Sequence, residues 1–205
     1  MTRPVRPARP EPPRKVARPA HAAGRAPNQV RIVGGQWRRS LLPVADKPGL
    51  RPTPDRVRET LFNWLGQDLA GWRVLDAFAG SGALGFEAAS RGAADVLLVE
   101  QDAELVRSLN ASRERLKAAA LRVQRGDGLA VLRSAVPGQY DLVLLDPPFD
   151  SRLAGSSLAA AARAVAAGGW VYLESGEVAP EPPEGLRLHR QARAGAVHYA
   201  LFQAA

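Results

Sequence analysis

The chain reads as an α/β protein built on a doubly wound parallel sheet. Short apolar runs recur between residues 74 and 174, and stretches of helical period separate them. The runs stop at an acid or a glycine, where the chain turns out of the sheet. Alternating βα units leave a sheet covered on both faces as the economical architecture.

The first strand holds Val74-Leu75 and ends at Asp76. It runs through Ala77-Phe78-Ala79 into Gly80-Ser81-Gly82-Ala83-Leu84-Gly85, and a helix follows over Phe86 to Ser90. Gly80, Gly82 and Gly85 satisfy G-x-G-x-x-G, a spacing that permits a tight turn, close ligand approach and close helix packing. A second strand, Val96-Leu97-Leu98-Val99, ends in Glu100, about twenty residues on, where an acid can grip ribose hydroxyls. Together these features describe a cofactor with an adenosine half. A glycine turn with an incidental acid is the plain alternative.

A third strand, Leu121-Arg122-Val123-Gln124, leads to Gly126-Asp127-Gly128. Asp127 can accept from an adenine amino group, or cap the helix over Leu129 to Leu132, or do both. Asp76 precedes the glycine turn, where it would repel a pyrophosphate but attract the cationic methionyl end of S-adenosylmethionine. A fourth run, Tyr140-Asp141-Leu142-Val143-Leu144-Leu145, is the most strand-like of all. It stops at Asp146-Pro147-Pro148-Phe149, because two prolines cannot continue a ladder. A carboxylate, a proline carbonyl and an aromatic ring thus meet where open α/β sheets bind ligands. They suit a planar base with an exocyclic amine.

The order of these motifs resembles class I S-adenosylmethionine-dependent methyltransferases of the amino-group type. Two upstream strings sharpen the resemblance. Arg31-Ile32-Val33-Gly34-Gly35-Gln36-Trp37-Arg38-Arg39, then Gly49-Leu50-Arg51-Pro52-Thr53-Pro54-Asp55-Arg56-Val57-Arg58-Glu59-Thr60-Leu61-Phe62-Asn63, are similar to the bacterial 16S ribosomal RNA (guanine-N2) methyltransferases of the RsmD family. The likeness spans roughly residues 28 to 175. Ser40-Leu41-Leu42 departs from it, since the family usually has a basic residue before its leucine.

The resemblance implies a Rossmann-like sheet of seven strands with the last one antiparallel, plus an N-terminal β-hairpin extension. It implies S-adenosylmethionine as cofactor, held by Asp76, Phe78, Gly80, Gly82, Gly85, Glu100 and Asp127. Asp146, Pro147 and Phe149 would then be catalytic. Arg31, Trp37, Arg38, Arg39, Arg51, Arg56 and Arg58 would face RNA. The implied partner is 16S ribosomal RNA in the small subunit or its assembly intermediate, and the implied state is a monomer. No metal is expected.

The charge distribution agrees. The 205 residues allow one domain plus appendages. Of the net charge of +8, residues 1–27 hold +6 and residues 28–60 hold +4, so the remainder is −2. A basic front on a near-neutral body fits a polyanionic substrate approached from one side. Residues 1–27 are rich in Pro and Arg and lack aromatics, so disorder or extended chain is expected there. A solvated tail with no fixed partner explains them equally well. No apolar run approaches a membrane span or a secretory signal. The chain has no cysteine, which excludes disulfides and thiolate chemistry, and its three histidines are scattered. The cytoplasm is the expected compartment.

Residues 28–50 are expected to form a small hairpin, from Val30 to Val33 and back over Leu41 to Val44. Trp37 with Arg38 and Arg39 would lie near its tip, stacking on a splayed base or pinning the hairpin to the body. Residues 51–205 form the expected methyltransferase domain. Thr53 and Pro54 mark a helix start, and Val57, Leu61, Trp64 and Leu65 recur at helical spacing. Arg56 and Arg58 would point away from that face. Beyond Phe149, a helix over Ser156 to Ala166 should end at Gly168-Gly169. A strand over Trp170 to Glu174 and a terminal hairpin, Leu186 to Gln191 with Val197 to Phe202, complete the sheet.

Three other readings stay open. An NAD-linked dehydrogenase shares the glycine turn and Glu100, but no convincing proton-transfer residue accompanies them. A non-catalytic RNA-binding assembly factor would explain the basic front alone. An adenine-N6 methyltransferase shares the D-P-P-F tetrapeptide.

Overall fold

The computed structural model describes residues 29–47, 53–148 and 153–205. The expected tail, Arg51 and Phe149 lie outside the described residues. The main sheet contains β3 (Arg73–Asp76), β4 (Asp95–Glu100), β5 (Leu121–Arg125), β6 (Tyr140–Leu145), β7 (Val165–Ser175), β8 (Leu186–Ala194) and β9 (Val197–Ala204). Its strand order is β5-β4-β3-β6-β7-β9-β8. β9 is antiparallel to both of its neighbours, and the other six strands run the same way. The order reverses between β3 and β6, which places a crevice beyond their carboxyl ends.

Alternation along each strand divides the core in two. Val74, Val96, Leu98, Leu142, Leu144 and Tyr172 face one side, with Phe62 of α1 (Asp55–Trp64), Phe86 of α2 (Ala83–Ser90) and Leu109 of α3 (Ala103–Arg115). Leu75, Leu97, Val143, Leu145 and Leu173 face the other, with Leu132 of α4 (Gly128–Ser134) and Leu158 of α5 (Leu153–Ala164). Among the described residues no helix is long and apolar enough to cross a membrane.

The hairpin forms from β1 (Gln29–Arg31) and β2 (Leu41–Pro43), with Val30 opposite Leu42. It shares the core of the body: Val30, Ile32, Leu42 and Val44 belong to the same buried cluster as Phe62 and Phe86. Its tip docks on the last turn of α2, where the Gln36 N–H donates to the Ser90 carbonyl and the Trp37 N–H to Ser90 Oγ.

Two boundaries differ from the sequence reading. α1 begins at Asp55, with Pro54 rather than Thr53 as the flanking residue. β7 begins at Val165, before the glycine pair instead of after it. Val165 is β-branched and buried against the α5 side, so it pairs with Tyr140. The register then shifts before Leu142 meets Trp170, and the intervening segment takes the positive φ of Gly168.

Gly128 opens α4 hard against the turn after β3. A Cβ there would lie 1.8 Å from the Ala77 carbonyl oxygen, a backbone atom that cannot rotate away. Gly128→Ala should therefore destabilise the fold by about 1–3 kcal/mol. Urea denaturation of the full chain, read as a lowered midpoint at unchanged slope, checks this.

Candidate active site

Four of the acids named from sequence stand at the carboxyl ends of β3, β4, β5 and β6. The turn after β3 is built on glycine. Gly80 and Gly82 have φ of 53° and 78°, which side-chain-bearing residues rarely adopt. Gly85 serves packing, since a Cβ there would lie 2.0 Å from the Leu98 side chain. Phe78 is half-buried against the α4 side.

Glu100 holds this turn in place. Its Oε2 accepts the Gly80 N–H at 2.9 Å and its Oε1 accepts the Asp102 N–H at 2.8 Å. A carboxylate has about four lone-pair sites, so ribose hydroxyls can still find acceptors there. Asp127 caps α4, its Oδ1 accepting the Leu129 and Ala130 N–H groups at 2.8 and 3.2 Å. Its side chain is exposed, and Gly128 beside it touches the β3 turn, so Asp127 borders the same crevice.

Asp76 is 1% exposed. Its Oδ2 accepts the Gly85 N–H at 3.0 Å, but its Oδ1 has no hydrogen-bond partner. Burial, with Glu100 and Glu174 adding repulsion, raises its pKa to about 7. A buried acceptor without a donor is costly unless a ligand supplies one. The ammonium or sulfonium of S-adenosylmethionine carries the right charge. Asp76, the glycine turn, Glu100 and Asp127 are the residues that would hold it.

Asp146 follows β6 and is half-buried; Pro147 beside it is buried. Burial first, then Glu174 and Asp76, push the Asp146 carboxyl well above the usual carboxylate range. Glu174 was not among the residues singled out by sequence. It is 2% exposed, near the end of β7, and its Oε1 accepts from the Tyr172 hydroxyl at 2.9 Å. Burial raises its pKa, while hydrogen bonds from Thr53 and Tyr172 and the nearby Arg58 charge pull against that. The signal was present: Trp170 to Leu173 is one more apolar run ending in an acid.

Arg58 requires a correction. Expected on a solvated face turned to RNA, it is completely buried. Its Nε donates to the Thr53 carbonyl at 3.1 Å, its Nη2 pairs with Asp55 at 2.7 Å and its Nη1 with Glu87 at 3.2 Å. Glu87 also accepts the Val33 N–H at 2.8 Å and pairs with Arg91. The cause is that the buried face of α1 is wider than the stripe counted from Val57: Arg58 and Phe62, four residues apart, form a second buried row beside it. Arg31 is exposed and pairs with Asp55 at 3.0 Å; Arg38, Arg39 and Arg56 are exposed. Trp37 is half-buried and packs on the core cluster at the end of α2 remote from the glycine turn.

The family model described as Conserved hypothetical protein 95 matches residues 30–203. The chain belongs to the RsmD family. It is 43% identical over 185 residues to the Escherichia coli K12 protein named ribosomal RNA small subunit methyltransferase D, covering 85% of this chain and 90% of that one. The Haemophilus influenzae protein of the same name is 38% identical over 188 residues, covering 87% and 95%. The solved structure of Escherichia coli yhhF superposes with a TM-score of 0.77 at 43% identity, over 86% of this chain and 98% of that one. The RsmD match runs through β8 and β9, beyond the span recognised from motifs, and leaves residues 1–29 outside.

Removing the Arg58 guanidinium takes a buried cation from Glu87 and Asp55, leaving Arg91 beside the first and Arg31 beside the second. Arg58→Ala should cost roughly 3–5 kcal/mol of stability. Arg58→Lys should recover only part of it, because one ammonium cannot repeat the three-directional fork. Thermal and urea unfolding of both variants measure the difference.

Proposed function

We propose that the protein transfers the methyl group of S-adenosylmethionine to the exocyclic N2 amine of a guanine in 16S ribosomal RNA. The substrate would be the small subunit or its assembly intermediate, and the enzyme would act as a monomer in the cytoplasm. The carrying observation is that Asp146 and Pro147 directly follow β6, the strand paired with β3 and its Asp76, at the crevice beyond those two strands. The names of the Escherichia coli and Haemophilus influenzae relatives support the choice of ribosomal RNA.

When bound, S-adenosylmethionine supplies an electrophilic methyl carbon whose leaving sulfur is already cationic. The difficulty lies with the nucleophile, because a guanine amine is conjugated with its ring. Asp146 and the Pro147 carbonyl can each accept one N–H, which turns the nitrogen lone pair outward. The same two acceptors stabilise positive charge as it develops on nitrogen. Phe149 would stack on an extruded base. Arg31, Arg38, Arg39, Arg51 and Arg56 would bind phosphates around it, and Trp37 would add an aromatic edge.

Asp146→Ala should lower methyl transfer roughly 100-fold or more. Transfer of tritium from labelled S-adenosylmethionine to small subunits lacking the modification measures it. Near-normal turnover of the folded variant refutes the role. Digestion of the labelled product to nucleosides then decides between N2-methylguanine and N6-methyladenine.

Glu100→Ala should weaken S-adenosylmethionine binding by about tenfold or more, the scale of one lost charged hydrogen bond. Turnover at saturating cofactor should fall less. Titration calorimetry of the variant shows whether affinity moves.

A further inference from the structure

Asp76, Asp146 and Glu174 form a cluster that the proposed methyl transfer uses only in part. The ladder pairs Asp76 with Leu144 and Leu145 with Leu173, so Asp146 comes next to Glu174 on adjacent parallel strands. Alternation puts all three carboxyls on the face of Leu144 and Tyr172. Adjacent strands are about 4.8 Å apart and residues rise about 3.3 Å along them, so Asp146 and Glu174 are direct neighbours and Asp76 stands one strand over and two residues behind Asp146. Asp76 and Glu174 are 1% and 2% exposed, and Asp76 Oδ1 is unpartnered.

The groups facing the cluster offer little positive charge. From β4 comes Glu100, from β7 the Tyr172 hydroxyl, and from β9 Tyr199, which lies opposite Glu174. From α2 comes Glu87, and from α1 Arg58, already shared between Asp55 and Glu87. Asp146 and Glu174 side by side, with Asp76 behind them and both Asp76 and Glu174 dry, do not all ionise in the absence of a further cation. Their proton affinities are raised accordingly.

We propose that Asp146 and Glu174 share one exchangeable proton, which leaves when a cationic methyl donor is bound beside Asp76 and returns when the methyl group has been transferred. The inference rests on the methyl-transfer reading and adds the fate of the proton to it. Donor binding supplies the missing cation, so the pair ionises and Asp146 becomes a full acceptor for the amine. During transfer the carbon–sulfur bond breaks with its electrons going to sulfur, and the nitrogen lone pair forms the new nitrogen–carbon bond. The nitrogen must then shed one proton, whose N–H electron pair stays on nitrogen. Asp146 takes that proton on a carboxylate oxygen as the positive charge of the sulfonium disappears. Glu174 acts through Asp146 and is a positioning residue. Its ionised form is favoured by the Tyr172 and Thr53 hydrogen bonds.

The sign follows from linkage. Acids with raised pKa hold protons at low pH, and the donor prefers the ionised cluster. Affinity therefore grows as pH rises, by at most about tenfold per pH unit for one proton. Titration calorimetry of the full chain from pH 6 to 8, in two buffers of different ionisation enthalpy, counts the protons released. With S-adenosylmethionine a release of up to about one proton is expected within this range. S-adenosylhomocysteine, which lacks the sulfonium charge, should release fewer. Glu174→Gln should cut the release and flatten the pH dependence of affinity. Tyr172→Phe, which keeps the ring, should move the release to higher pH and serves if the glutamine variant does not fold. Binding without proton release at any of these pH values overturns the proposal, as does equal release with both ligands or in every folded variant. Failure to bind S-adenosylmethionine at all would instead sink the methyltransferase reading.

Discussion

The structure turns on the cost of gathering negative charge at one dry end of a sheet. Carboxylates at the ends of β3, β6 and β7 stand on neighbouring strands with their side chains on one face. Water would solvate each of them, and burial removes it. The chain offsets part of the cost with hydrogen bonds: Gly85 N–H to Asp76, and the Tyr172 and Thr53 hydroxyls to Glu174. It leaves part uncompensated at Asp76 Oδ1. That remainder is what a cationic ligand can relieve, so the deficit is a form of preorganisation.

Arg58 is a buried cation whose main partners lie elsewhere, although its charge pulls down the proton affinity of Glu174. One guanidinium binds the chain entering α1 through Thr53, the first turn of α1 through Asp55 and α2 through Glu87. Through Glu87 and Asp55 it also reaches the hairpin, at the Val33 N–H and at Arg31. Thr53 is held at both ends, its carbonyl by Arg58 and its side chain by Glu174. The hairpin, α1, α2 and the end of β7 are therefore tied into a single polar network. Such networks stabilise only when every member is satisfied, which is the reason substitution of Arg58 is expected to be costly.

Much of this was legible in the chain. The glycine turn, the strand ends at Asp76, Glu100 and Asp146 and the cap at Asp127 were readable because each couples a backbone requirement to a residue type: positive φ, a prolyl stop, a helix start. Arg58 was misplaced because a charged side chain on a helix reads as solvated, and its partners Glu87 and Asp55 come from elements that only the fold brings together. Glu174 was passed over for the related reason that its neighbours lie on other strands. The boundary at Val165 depended on tertiary pairing with Tyr140, which outweighed the glycine pair as a local stop.

The charge distribution also suits the proposed substrate, since it would attract RNA without trapping its backbone in the crevice. The basic residues concentrate in the first 60 positions, while the crevice is ringed by acids. A phosphate drawn toward Arg38, Arg39 or Arg56 gains little by moving on to Asp76 and Asp146, where like charges meet in a poorly screened site. A neutral base swung out of its strand meets no such repulsion, and a cationic methyl donor is favoured there. In the proposed reaction the same acids would discriminate among its three parts, excluding phosphate, admitting the base and holding the cation.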